Sequence, residues 1–226
     1  MIEKLELNEQ ELQANYEEFI KFISGFFKDE RKEKLLHMYS ENEMGLRACM
    51  APASMAEHFH LAVPGGYLLH IMHVVKAAYG IKKIYKTMGA AINFTDEEMV
   101  FAALHHDLGK LGDDTGEYYI DQDEDWQRRK GFVYKMNSTI QYLEVTDRAV
   151  YNLQRYGVVY TWREYLGIKL ADGMYNDDAA KYLKTTNVNT YLKTNLPRII
   201  HAADYVSTVS ERDTQFFGGL VNPLTD

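Results

Sequence analysis

The run Leu104-His105-His106-Asp107-Leu108-Gly109-Lys110 puts imidazole, carboxylate and ammonium groups together where an apolar segment gives way to glycine. Imidazole nitrogen and carboxylate oxygen are the natural ligands of a hydrolytic divalent metal, and a nearby lysine can hold a phosphate oxygen. Further candidates lie far off in the chain: His70 upstream, His201 and Asp204 downstream. Two imidazoles and two carboxylates make a mixed, fairly hard donor set with net negative charge. Such a set suits one divalent transition metal: Mn, Co, Ni, Fe or Zn. Four protein ligands on an octahedral ion leave places for water and a phosphate oxygen, and the pKa of that water can fall to about 7. Phosphoester hydrolysis is the chemistry these residues predict.

The segments that must position them read as helices, so the expected fold class is all-α. Asn8 can cap a helix whose apolar residues Leu12, Tyr16, Phe19, Ile20 and Ile23 recur at helical spacing as far as Gly25. A second helix is expected over 30–39 and a short one around 44–49. Pro64-Gly65-Gly66 is a break before the long apolar segment 67–88, which carries His70. Gly65 or Gly66 is expected in a conformation closed to other residues. Thr95 and Glu98 form a capping box that starts a helix expected to reach Leu108, with His106 and Asp107 at its end. The polar stretch 112–129 reads as a surface loop and 132–134 as a short extended piece. Two helices are expected over 147–156 and 162–170, the latter opened by a Thr161/Glu164 capping box. Pro197 begins the last helix, to about Arg212, which carries His201 and Asp204.

At 226 residues the chain suits one domain with a single core. A formal charge of -8 argues against affinity for duplex nucleic acid but not against a small anionic substrate. Cys49 is the only cysteine, which excludes an internal disulfide and suits a cytoplasmic protein. The first residues, Met1 to Glu6, are charged where a signal peptide is apolar, and no apolar run is long enough to span a bilayer. No membrane partner is expected, while a homo-oligomer stays open.

The order His70, then His106-Asp107, then Asp204 resembles the HD superfamily of metal-dependent phosphohydrolases. The matching stretches are Gly65-Gly66-Tyr67-Leu68-Leu69-His70, the run 104–110 and Ile200-His201-Ala202-Ala203-Asp204. The resemblance covers roughly residues 56–213. It implies a single-domain helical bundle, with 1–55 as N-terminal helices packed on it and 214–226 as a C-terminal tail. It implies His70, His106, Asp107 and Asp204 as metal ligands. It also implies hydrolysis of a phosphate ester of a nucleotide: a nucleoside mono- or triphosphate, or a short oligonucleotide. Two-metal members carry extra histidines between the HD pair and the final Asp. Here none falls between Asp107 and His201, and Ala171-Asp172-Gly173 stands where relatives often have a histidine. One ion is therefore expected. The alternatives are a di-iron oxygenase of the same fold, or an inactive HD domain that binds nucleotide or a partner protein.

Spacing alone allows either His70 or His73 as ligand, since they lie one turn apart on one helix face. The family position favours His70, leaving His73 and His201 as hydrogen-bonding supports. Lys110, one turn beyond His106, is assigned to catalysis and to a substrate phosphate oxygen. Asp113 or its neighbour Asp114 is the expected general acid or base, with Asp113 the first choice. Arg148 is expected either to bind phosphate or to bridge to an acidic neighbour. His105 reads as core, His58 and His60 as pocket mouth or plain surface, and Glu211-Arg212 as a surface pair. Arg128-Arg129-Lys130 reads as a solvated run, or as a receiver for a polyphosphate or oligonucleotide end. Tyr118, Tyr119, Trp126 and Tyr134 suit base stacking or core equally. The tail 216–226 is apolar enough to dock on its own domain or on a partner.

Overall fold

In the computed structural model, which describes residues 6–217 and 222–224, four of the helices begin where a side chain accepts from their free N–H groups. α1 (Glu9–Phe26) starts on Asn8, whose side chain accepts from the Glu11 N–H while Glu11 caps the Asn8 N–H in return. α2 (Asp29–Met38) leads through a π-turn (Glu41–Gly45) to the short α3 (Leu46–Met50). α4 (Gly66–Thr87) is launched from Gly65 at φ 78, and a Cβ on Gly66 would lie 2.2 Å from the Leu61 carbonyl oxygen. Both glycines of the expected break are thus required, one by conformation and one by space. α5 (Asp96–His105) opens on the Thr95/Glu98 box. A 3₁₀ turn (Leu108–Leu111) follows, then β1 (Tyr119–Asp121), α6 (Asp125–Arg128) and β2 (Tyr134–Met136), the two strands pairing antiparallel. α7 (Val145–Arg155), α8 (Trp162–Lys169), a 3₁₀ turn (Gly173–Tyr175), α9 (Asp177–Lys184) and α10 (Leu196–Phe217) complete the order.

α4 packs against both α5 and α10, and α8 touches these same two helices from another side. Phe19 and Ile23 of α1 share one buried cluster with Tyr67, Phe101, Leu153 and Ile199, so the N-terminal helices close the same core as the rest. The fold is an all-α single-domain bundle. At Gly167 the absence of a side chain lets α8 approach α5, since a Cβ there would meet that of Ala102 at 2.8 Å.

Several boundaries differ from expectation for local reasons. α5 ends at His105, because the chain must turn sharply to seat Gly109 against α7, where a Cβ would lie 2.0 Å from the Val145 carbonyl oxygen. β1 forms inside the stretch read as a loop, and the extended piece shifts to 134–136. α9 escaped notice because it buries little beyond Ala179 and Ala180. Its start is nevertheless marked by Asn176, whose side chain accepts from the Asp178 and Ala179 N–H groups. Of the tail, Leu224 packs on the core and Asn222 donates to Asn15 Oδ1 at 2.8 Å, which docks it on its own domain. The tail's residues 218–221 and 225–226, like 1–5 at the other end, lie outside the described residues.

The start of α8 carries a second burden. Glu164, its capping carboxylate, is fully buried and receives Arg31 at 2.7 and 3.2 Å, while Arg31 also reaches Glu97 at 2.9 Å. Burial raises the Glu164 carboxyl above its usual range despite the guanidinium. Removing one partner of a buried pair strands the other charge. Arg31→Ala is expected to cost roughly 3–5 kcal/mol in urea unfolding, with part of the loss recovered when Glu164→Gln is added. Equal stability of the single and double variants would refute this account.

Candidate metal centre

The contacts among α4, α5 and α10 converge on four side chains. His70 comes from the start of α4, His106 from the end of α5, Asp107 from the step out of that helix (φ -103, ψ 8) and Asp204 from the middle of α10. His70 Nε2 lies 3.2 Å from Asp204 Oδ1 and 3.5 Å from Asp107 Oδ2, and His106 Nε2 lies 3.8 and 3.7 Å from the same oxygens. Candidate ligand atoms of His70, His106 and Asp204 all fall within 4.8 Å of one another. The other ring nitrogens are engaged: His106 Nδ1 donates to the Ala103 carbonyl at 2.8 Å and His70 Nδ1 to Glu211 at 2.9 Å. That leaves both Nε2 atoms facing the centre, buried and without a hydrogen bond of good geometry. Two buried imidazole nitrogens converging with two carboxylates is a set that a divalent cation satisfies, so the donors fit the metal their types suggest. Burial alone would push the His70 imidazole down, but Glu211 and Asp204 hold it up at about 10. Asp204, which burial would raise, is held well below the usual carboxylate range by His70 and His106.

Glu211 is the support that sequence reading missed. It is 1% exposed, not part of a surface pair, and accepts from both His70 Nδ1 and His73 Nδ1, the latter at 2.8 Å. Burial would raise its carboxyl, but the charge of His70 holds it down at about 2. His73 therefore steadies the carboxylate that orients the ligand histidine. The signal was present: Glu211 lies two turns beyond Asp204 and so shares its helix face. Lys110 Nζ donates to Asp107 Oδ2 at 2.6 Å and to the Ala53 carbonyl at 2.7 Å, fixing a ligand and tying down the segment before α4. His60 sets its ring 4.7 Å from that of His70, with a buried Nε2 and its own carbonyl held by Ser54 Oγ at 2.6 Å. Burial first, then the charges of His70 and Lys110, push its imidazole down to about 3, so it stays neutral.

A cavity of about 360 Å³ opens in front of these residues, and His60, Asp107, Lys110, Asp172 and Asp204 line it. Asp113 and Arg148 do not. They form a buried ion pair with each other, Arg148 also donating to the Gln141 carbonyl at 2.6 Å and Asp113 accepting from the Thr115 N–H at 2.9 Å. Arg148 thus takes the second of its two expected roles, bridging to an acidic neighbour, and the pair sits away from the cavity where Asp113 was expected to transfer a proton. The cause is Gly112 (φ 81), where a Cβ would lie 2.0 Å from the Gly116 carbonyl oxygen; the tight turn aims Asp113 at α7. Arg47 clamps this turn by donating to the Asp113 carbonyl at 2.6 Å. Asp114 is exposed and bonded to the Tyr151 hydroxyl.

His201 is not among the converging donors. Its Nδ1 donates to the Ala171 carbonyl at 2.9 Å and its ring lies on Gly173 (φ 56), where a Cβ would come within 2.2 Å of it. It supports the site by holding the turn that brings Asp172 to the cavity. Burial and the nearby Asp107 raise the Asp172 carboxyl. Of the aromatic candidates Tyr118 lines this cavity, Tyr119 and Tyr134 line a neighbouring one of about 310 Å³, and Trp126 is half exposed beneath Lys130. Among the described residues no helix is long and apolar enough to cross a membrane. No protein-family model, curated protein or solved structure matches the chain.

Removing an outer hydrogen bond to a ligand histidine typically lowers metal affinity about 10- to 100-fold. Glu211→Gln is expected to weaken Zn or Mn binding by that factor in titration calorimetry, with the far-ultraviolet circular dichroism unchanged. Unaltered affinity would remove Glu211 from the centre.

Proposed function

We propose that this chain is an HD-type metal-dependent phosphohydrolase that cleaves a phosphate ester of a nucleotide. The reading rests on one observation above all: two buried imidazole Nε2 atoms converge with the carboxylates of Asp107 and Asp204 beside a lysine. His70, His106, Asp107 and Asp204 would hold the ion, which when bound supplies a Lewis acid and a water acidic enough to attack phosphorus near neutral pH. A single ion follows from the sequence, which has no histidine between Asp107 and His201. The Lys110 ammonium sits on Asp107 Oδ2. The same charge, facing the cavity, can meet a phosphoryl oxygen.

Asp172 is the carboxyl best suited to protonate the leaving oxygen. It lines the cavity, its turn is fixed by His201, and its surroundings favour the protonated form. The neutral His60 lines the same space without adding charge.

The test is hydrolysis of thymidine 5′-monophosphate p-nitrophenyl ester by protein loaded with Mn, Co or Zn. Asp172→Asn is expected to lower kcat about 10²- to 10⁴-fold while leaving one ion bound per chain. Asp113→Asn, which breaks the buried pair with Arg148, is expected to lower the melting temperature first. A null result with every metal, on protein shown to hold one ion, would defeat the proposal. So would Asp172→Asn at the wild-type rate, as far as the role of that residue goes.

A further inference from the structure

The charges around the cavity bear on which phosphate ester it takes, given the phosphohydrolase reading. Four carboxyl groups line it, those of Asp107, Glu144, Asp172 and Asp204, against one basic side chain, Lys110. Glu144 has a neighbour of its own in Lys169, 3.5 Å away, which is shared with Asp147 at 2.5 Å. Of the other basic groups that sequence offered as phosphate holders, Arg128, Arg129, Lys130 and Arg148, none lines the cavity. Arg148 is buried on Asp113, Arg128 is paired with Asp125, and Lys130 lies over the Trp126 ring. A divalent ion and Lys110 together bring three positive charges, which the carboxylates of Asp107, Glu144 and Asp204 already balance when Asp172 carries the proton proposed above. Such a cavity can accommodate a phosphate of low charge. It has nothing with which to hold the added anionic oxygens of a polyphosphate, which call for further Lys, Arg or metal.

Beside these polar groups the cavity has one largely apolar wall. Tyr118 and Met136 touch each other, hydroxyl to sulfur at 3.1 Å, and Tyr142 stands beside them in the same wall. Tyr142 is 70% exposed and Met136 48% exposed, a large uncovered apolar surface next to a polar floor. Aromatic side chains at such a place stack on nucleobases of any sequence.

We infer that the substrate is a nucleotide ester with a single phosphoryl group, its base lying on the Tyr118–Met136–Tyr142 wall, and that nucleoside triphosphates are excluded by charge. The experiment is titration of the Mn-loaded protein, in excess Mg, with thymidine 5′-monophosphate, the dinucleoside monophosphate TpT and a non-hydrolysable thymidine triphosphate. The single-phosphate probes are expected to bind at least about tenfold tighter than the triphosphate. Tyr142→Ala is expected to weaken them by about 5- to 150-fold, and Glu144→Gln to narrow the gap in favour of the triphosphate. Equal or tighter binding of the triphosphate, or no effect of Tyr142→Ala, would overturn the inference while leaving phosphate ester hydrolysis untouched. If none of the three probes binds to protein carrying its ion and no ester is cleaved, the phosphohydrolase reading itself fails with it.

Discussion

Attraction between buried imidazoles and buried carboxylates is the interaction on which the centre of this molecule depends. Asp107, Asp204 and Glu211 are carboxylates withdrawn from most of their water, which is costly for a lone ion. Each is offset by a specific neighbour: Lys110 on Asp107, His70 between Asp204 and Glu211, His73 on the far side of Glu211. Since these partners come from α4, α10 and the turn after α5, the electrostatic requirement also fixes how those elements meet. The glycines at 65, 66 and 109 serve the same end, because each permits an approach that a side chain would block.

Much of this was legible in the sequence. Capping boxes at Asn8, Thr95 and Thr161 mark helix starts through local hydrogen bonds alone, and all three form as read. The ligand candidates His70, His106, Asp107 and Asp204 stood out because their residue types rarely share apolar helices without a reason, and the fold brings them together. The choice of His70 over His73 needed the family order, since spacing does not separate them.

What escaped was decided by long-range geometry. Asp113 and Arg148 looked functional by position, yet a turn at Gly112 sends the carboxylate toward α7, and no local pattern announces that direction. Glu211 looked ordinary for the converse reason, and Asp172 stood out only as the residue where relatives often carry a histidine: what each side chain meets is set by the packing of α10 and of the turn after α8. His201 falls between these cases. Its spacing from Asp204 puts it on the right helix, but its ring serves a neighbouring turn.

One consequence follows from the placement of the ligands along the chain. His70 and Asp204 are separated by more than half of the 226 residues, and Glu211 comes later still. Closing so long a loop is an entropic burden that local helix formation cannot relieve, so the centre can be completed only when α10 docks. During synthesis, a chain that has emerged only as far as α9 presents His70, His106 and Asp107 without their fourth member. An ion held there would be captured only as folding completes, and would act as a latch on the assembled bundle.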